Sequence, residues 1–134
     1  MIVVDTNIIS YFYITGEHSQ LSEELLTYDA EWAAPALWLS EFRNVLALYL
    51  RKNVLNLDDI MSITHQAEKL LLESTYEVSS AHVLELVNNS RCSAYDCEFV
   101  ALAKHLNTPL ITTDKKILQE FPKIAMTVDA YIKL

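Results

Sequence analysis

The stretch IVVDTN at residues 2–7 points to the fold, because an acidic residue directly follows a short run of β-branched side chains. The run at residues 2–4 predicts a buried strand, and residues 7–14 predict a helix after it. Asp5 then lies at the carboxyl end of the strand. In parallel α/β sheets this edge is where ligands bind, so Asp5 is the first candidate site residue.

Apolar runs alternate with helical patterns along the rest of the chain. Helices that alternate with strands imply a parallel sheet with both faces covered. We therefore expect an α/β fold, a three-layer α/β/α sandwich around a central, mostly parallel sheet of about five strands. The further strands are predicted at 31–34, 76–78, 110–113 and 124–128, and the further helices at 20–28, 37–52, 56–73, 79–88, 93–106 and 115–120.

The composition is that of one globular domain, expected to span residues 1–134. Hydrophobic residues make up 51% and charged residues 21%, and there is one glycine. This composition excludes a disordered chain, and no glycine-rich phosphate-binding motif of an NTPase or dinucleotide enzyme is present. No apolar run reaches transmembrane length and residues 1–5 lack signal-peptide features. With Cys92 and Cys97 read as reduced thiols, we expect a cytoplasmic protein without a membrane partner.

The charge balance is acidic, with 10 basic against 18 acidic residues and a net charge of −8. A broad basic surface for nucleic acid is therefore not expected. A nucleic-acid enzyme remains compatible with this balance if several carboxylates are metal ligands, because the metal neutralises them locally.

Four acids occupy unusual positions. Asp5 and Asp114 each follow a predicted strand, and Asp96 begins a helix with apolar residues one turn ahead. Glu41 lies inside the long helix, with Leu37, Trp38, Val45 and Leu48 on its face, so we expect it on the buried stripe. Each acid has a simpler interpretation: Asp5, Asp96 and Asp114 as helix caps, and Glu41 in a buried salt bridge. Four converging carboxylates instead predict a metal site.

Clusters of carboxylate oxygens hold Mg²⁺ or Mn²⁺ rather than zinc. One or two such ions bind a phosphodiester, lower the pKa of a water and stabilise a leaving oxygen. Polar side chains flank the acids and are candidates for supporting the ligands or holding water. These supporting candidates are Thr6, Asn7, Ser93, Thr112 and Thr113.

Taken together, the segments that carry the four acids resemble those of the PIN-domain ribonucleases. The matching segments, in order, are VDTN at residues 4–7, SEFRNVL at 40–46, SAYDCEFVALA at 93–103 and ITTDKK at 111–116. The resemblance covers nearly the whole chain and implies an α/β/α sandwich that cleaves RNA with Mg²⁺ or Mn²⁺. Carried over by position, it makes Asp5, Glu41, Asp96 and Asp114 the catalytic, metal-binding acids.

A chain of this size looks most like the VapC-type toxins of toxin–antitoxin pairs. This likeness implies a small antitoxin protein as a partner and a homodimer. The first candidates for phosphate contacts to the RNA substrate are Lys115 and Lys116, which follow Asp114 directly; a solvated helix start is the equal alternative.

Other interpretations remain open. A receiver-like signalling domain, phosphorylated on Asp, is also a Mg²⁺-dependent α/β protein, but the first strand here offers only Asp5 and gives Glu41 no role. A catalytically silent PIN-like scaffold is the third possibility. The aromatic run Tyr11, Phe12 and Tyr13 suits base stacking, or else core packing or a dimer contact.

Overall fold

The computed structural model describes residues 1–14, 16 and 18–133. The strands in this part of the chain are β1 (Ile2–Val4), β2 (Trp32–Pro35), β3 (Thr75–Tyr76), β4 (Leu110–Ile111) and β5 (Ala125–Met126). The helices are α1 (Thr6–Tyr13), α2 (Ser19–Tyr28), α3 (Leu37–Arg51), α4 (Leu57–Leu71), α5 (Ser80–Asn88), α6 (Ala94–Leu106), α7 (Lys115–Glu120) and α8 (Val128–Ile132).

The five strands form one parallel sheet in the order β3-β2-β1-β4-β5. The chain moves outward from β1 to β3, then returns to place β4 on the other side of β1. The topological switch point therefore lies between β1 and β4, where α/β sheets bind ligands. The predicted three-layer fold is confirmed.

The helices cover both faces of the sheet. Right-handed crossovers in opposite directions put α1 to α4 on one face and α5 to α7 on the other. Helix α6 packs on β1, β2 and β4, and α8 joins the first layer through contacts with α2. The sheet is entirely apolar at its centre, with Ile2, Val3 and Val4 fully buried, as the opening run predicts.

Most predicted elements are confirmed, with boundaries shifted by one or two residues. The Asn56 side chain caps α4 as expected, accepting a 2.8 Å bond from the Asp59 N–H. The strand predicted at 76–78 is shorter, since β3 starts one residue earlier and ends at Tyr76. The strand predicted at 110–113 ends at Ile111, which leaves both following threonines outside the sheet.

The strand predicted at 124–128 is wrong in its second half. Strand β5 ends at Met126, and the β-branched pair Thr127 and Val128 begins a helix. The Thr127 hydroxyl accepts a hydrogen bond from the Ala130 N–H at 3.1 Å, which is an N-cap. β-Branched residues generally favour strands, but here the cap made by Thr127 favours the start of a helix.

In the described part of the chain, no helix combines the length and apolar character needed to cross a membrane.

Candidate active site

The carboxyl edge of the sheet gathers the four predicted acids. Asp5 follows β1, and its N–H donates to the Ile111 carbonyl on neighbouring β4 at 3.0 Å. Asp114 lies three residues beyond the end of β4, Asp96 lies in the first turn of α6, and Glu41 lies in α3. Two strands at the switch point and two helices on opposite faces thus deliver one acid each.

Asp5 and Glu41 are connected through Thr6. The Asp5 Oδ1 atom accepts from the Thr6 N–H at 2.7 Å, which caps α1. The buried Thr6 hydroxyl donates to Glu41 Oε1 at 2.8 Å. The first turn of α1 therefore holds one carboxylate by its backbone and a second by its side chain.

Asp5 and Asp114 are connected through Thr112, which is fully buried. Its hydroxyl donates to Asp5 Oδ2 at 2.7 Å and accepts from the Asp114 N–H at 3.0 Å. Asp114 Oδ1 in turn caps α7 by accepting from the Ile117 N–H at 3.0 Å. The capping interpretation of Asp5 and Asp114 is correct, and each cap also fixes the orientation of a carboxylate at the switch point.

Asp96 is held by the cap of its own helix. The Ser93 hydroxyl accepts from the Asp96 N–H at 3.1 Å, as the predicted capping motif requires. Two predicted supporting residues, Asn7 and Thr113, behave differently. Among the hydrogen bonds between described residues, none joins either side chain to an acid, and Asn7 faces a neighbouring cavity.

Burial and the neighbouring carboxylates raise the pKa of Asp5 and of Asp96. Burial raises the pKa of Asp5 to about 6, against the opposing bonds from Thr112 and Thr6, and the Glu41 and Asp96 carboxylates raise it further. Burial and the Asp114 carboxylate also raise the pKa of Asp96. In the described residues, the ion pairs lie elsewhere, so no protein cation is paired with these acids.

The donor set suits a hard cation because it consists of carboxylate oxygens at crowded, partly buried positions. The arrangement of the side chains is less favourable: among the described residues, no three His, Cys, Asp or Glu side chains are placed to hold a metal ion. Repulsion between uncompensated carboxylates opposes such an arrangement. The residues therefore fit Mg²⁺ or Mn²⁺ in chemistry, while binding requires the side chains to draw together.

The environment of Glu41 differs from the prediction. The buried stripe of α3 consists of Trp38, Phe42 and Leu46, whereas Leu48 is 48% exposed. Glu41 lies beside this stripe and is half-buried. Glu41 is therefore near the core, as expected, but at the border of the buried stripe and not within it, because the stripe runs along one side of this residue.

A fifth acid, Glu98, is half-buried on α6. Burial raises its pKa, and the carboxylates of Glu41 and Glu77 add to the shift. Glu98 therefore lies within electrostatic range of Glu41, one of the four acids. Its spacing from Asp96 places it on another side of α6, so periodicity along this helix does not predict the proximity of Glu98 to Glu41.

The two predicted phosphate-binding residues, Lys115 and Lys116, are exposed in the first turn of α7. The Lys116 ammonium partly offsets the raised pKa of Asp96, which places its charge near the acidic edge.

Comparison with known proteins gives concordant results. The sequence profile of the PIN domain matches residues 2–124. Ribonuclease VapC3 of Pyrobaculum aerophilum is 25% identical over 126 residues, which cover 92% of this chain and 96% of that protein. The fold resembles FitAcB from Neisseria gonorrhoeae, with a TM-score of 0.75, 17% identity and coverage of 96% of this chain and 98% of that one.

A toxin–antitoxin complex from Klebsiella pneumoniae aligns with a TM-score of 0.66 at 16% identity, over 96% of this chain and 98% of the other. The match to the domain profile extends from β1 into the segment before β5 and so includes all four acids. The chain belongs to the PIN domain family.

Proposed function

We propose that this protein is a metal-dependent endoribonuclease that hydrolyses RNA phosphodiester bonds, acting as the toxin of a toxin–antitoxin pair. The observation that carries the proposal is Asp5: a partly buried carboxylate at the switch point, near two further acids, with its pKa raised to about 6. The name of its relative VapC3, a ribonuclease, supports the same reaction.

In this proposal the acids Asp5, Glu41, Asp96 and Asp114 hold one or two Mg²⁺ or Mn²⁺ ions. When bound, such an ion lowers the pKa of a water and neutralises charge on the phosphodiester. The protein contributes orientation. The Thr6 N–H occupies one lone pair of Asp5 Oδ1, and the Thr112 hydroxyl occupies one lone pair of Asp5 Oδ2. Each carboxylate oxygen keeps a further lone pair that can bind a cation.

Lys116 and Lys115 supply positive charge beside the acids, and we propose that they contact phosphates of the RNA. The remaining charge of the chain is unfavourable for RNA, so affinity depends strongly on the metal and on salt. The proposed partner that restrains the activity is a small antitoxin protein, in keeping with the Klebsiella pneumoniae complex that shares this fold.

A catalytically silent scaffold is the second candidate. It is favoured by one observation: among the described residues, no three metal-binding side chains are already gathered into a site. The receiver-like interpretation has less support, because Glu77 rather than an aspartate follows the edge strand β3 and Glu41 would have no function.

The experiment that tests the proposal is RNA cleavage by the purified protein with Mg²⁺, with Mn²⁺ and with EDTA. We expect cleavage with either metal, none with EDTA, and none by Asp5→Asn. Asp58→Asn is the matched control, because Asp58 is an exposed aspartate in the first turn of α4. Cleavage by Asp5→Asn at the parental rate would refute the assigned site, and absence of cleavage by the parent would favour the scaffold.

A further inference from the structure

A cavity of about 270 Å³ lies between α1 and α3, next to the acidic edge. Its lining residue Asn7 is two residues from Asp5, and its lining residue Val45 is one helical turn from Glu41. The cavity therefore continues the acidic site along the two helices that hold Asp5 and Glu41. None of the roles proposed above uses it.

The walls of this cavity are aromatic and polar. Tyr11 and His18 stand with ring centroids 4.6 Å apart at an interplanar angle of 33°, and Tyr49 lines the cavity from α3. Asn7 adds an exposed carboxamide, which can both donate and accept a hydrogen bond. The next residue of the aromatic run, Phe12, packs against the core and not in the cavity, since its ring lies edge-on to Trp32 at 5.8 Å.

Charge distinguishes this cavity from the two along α5 and α6. None of its described lining residues is acidic, in a chain with a net charge of −8. The two cavities along α5 and α6 both include Glu77, whose carboxylate repels a phosphate. Another cavity without an acidic residue in its described lining contains Lys104 and Lys123, but it lies at the opposite edge of the sheet from the four acids. Lys52, exposed one turn beyond Tyr49, adds a cation at the far end of α3.

The dimensions suit one unstacked base of single-stranded RNA. Ligand pockets for larger molecules range from about 300 to 1,000 Å³, and this cavity is slightly smaller. Tyr11 is six residues beyond Asp5, or about 9 Å along a helix, and Tyr49 is eight beyond Glu41, or about 12 Å. At about 3.4 Å per stacked nucleotide, these spans reach roughly three nucleotides from the acids.

We propose that this cavity is a nucleobase subsite, in which one RNA base stacks on the Tyr11–His18 pair and on Tyr49, and Asn7 hydrogen-bonds its edge. Unpaired bases are commonly recognised in this way, by aromatic stacking together with polar contacts. The subsite determines which base is preferred near the cleaved bond. This inference rests on the proposed ribonuclease function, which it deepens by assigning a specificity site.

The test is cleavage of a single-stranded RNA pool with twelve randomised positions, sequenced to find the bases preferred around each cut. We expect the parent to prefer particular bases at one position within about three nucleotides of the cut. Tyr49→Ala and Tyr11→Ala flatten that preference and lower kcat/KM about 5- to 150-fold, mainly through KM. Tyr28→Ala, an exposed tyrosine on α2, is the control and keeps the parental profile.

Two further measurements separate stacking from misfolding. Tyr49→Phe retains the aromatic ring and should keep the parental base preference. Its melting temperature should equal that of Tyr49→Ala, so that the loss of preference in Tyr49→Ala is not due to unfolding. A substrate that is abasic at the preferred position slows the parent by the same factor as Tyr49→Ala, and slows Tyr49→Ala no further.

The outcomes distinguish the two proposals. Suppose that the parent cuts RNA, and that the variants Tyr11→Ala and Tyr49→Ala keep the parental rate and base preference. The subsite is then refuted, while the proposed ribonuclease function stands. If these variants instead lose only inhibition by a cognate antitoxin peptide, the cavity is a protein-binding site and the subsite is refuted. If the parent cuts no RNA, both proposals fail.

Discussion

Asp5 and Asp29 are two partly buried aspartates with opposite electrostatics. Asp29 accepts hydrogen bonds from the Tyr131 hydroxyl and the Glu31 N–H and lies 3.4 Å from the Met1 ammonium. These partners outweigh burial and lower its pKa. Asp5 also accepts two hydrogen bonds, but burial and neighbouring acids raise its pKa to about 6.

The difference shows which of the two carboxylates has its charge compensated by other groups of the chain. The charge of Asp29 is balanced by a cation of the protein, so this side chain stabilises the fold. The charge of Asp5 has no such partner among the described residues, and its neighbours add repulsion. An uncompensated carboxylate at a ligand-binding edge is typical of a functional site.

The largest expected effect concerns RNA cleavage. Asp5→Asn removes a proposed metal ligand and should lower the cleavage rate by a factor on the order of 10³ or more. Asp29→Asn should leave the rate unchanged within about twofold, although it lowers the free energy of unfolding by about 1–3 kcal/mol. Parallel kinetics and urea unfolding measure both. Equal loss of cleavage in the two variants would remove the distinction between the aspartates.

The second effect is a dependence of stability on pH in metal-free buffer. The pKa of Asp5 is 3.8 unfolded and about 6 folded, so between these values the folded chain binds more protons. The free energy of unfolding therefore falls as pH rises through this window, by about 2–3 kcal/mol from Asp5 alone. Asp29, with its lowered pKa, contributes stability that is lost as pH falls.

The measurement is urea unfolding of the parent and of Asp5→Asn from pH 4 to pH 7 with EDTA. We expect Asp5→Asn to be the more stable of the two at pH 7, with a difference that closes toward pH 4. A stability difference that does not change with pH would show that Asp5 is not electrostatically frustrated.

The third effect concerns the buried hydroxyl between two acids. Thr112→Val removes the donor to Asp5 and the acceptor for the Asp114 N–H, which should cost about 1–3 kcal/mol of stability and slow cleavage. Thr112→Ser should restore both. Thr64→Val, which removes only a bond to a helix carbonyl, should change stability by less than about 1 kcal/mol. If Thr112→Ser and Thr112→Val cleave at the same rate, the hydroxyl does not position the acids.

The smallest effect concerns phosphate contacts. Lys116→Ala should weaken RNA binding and reduce the slope of log affinity against log salt by about 0.7–1. Lys123→Ala is the control, since Lys123 is exposed before β5 at the opposite edge of the sheet. Fluorescence anisotropy with labelled RNA measures both slopes, and equal slopes in the two variants would leave Lys116 without a role.

The sequence was sufficient for the layers of the fold and for the edge that carries the acids. Apolar triplets bury wherever a sheet has both faces covered, so strand β1 and the place of Asp5 follow from pattern alone. Helix α8 was missed because Thr127 and Val128 have strand propensity, which outweighed the local cap that the Thr127 hydroxyl makes with the Ala130 N–H.

The surroundings of the site were less predictable. The pattern along α3 indicated that Glu41 was near the core, but only the structure shows the threonine hydroxyl that holds it. Glu98 was missed because its electrostatic proximity to Glu41 is a relation between two helices, which periodicity within one helix does not predict. The role of Thr112 is likewise a contact across 107 residues.

The most direct test of the central claim is the melting temperature with and without millimolar Mn²⁺, for the parent, Asp5→Asn and Asp29→Asn. A metal that binds only the folded site must stabilise it. We predict a rise of several degrees in the parent and in Asp29→Asn, and none in Asp5→Asn. No rise in the parent, or an equal rise in Asp5→Asn, would contradict a metal site built on Asp5.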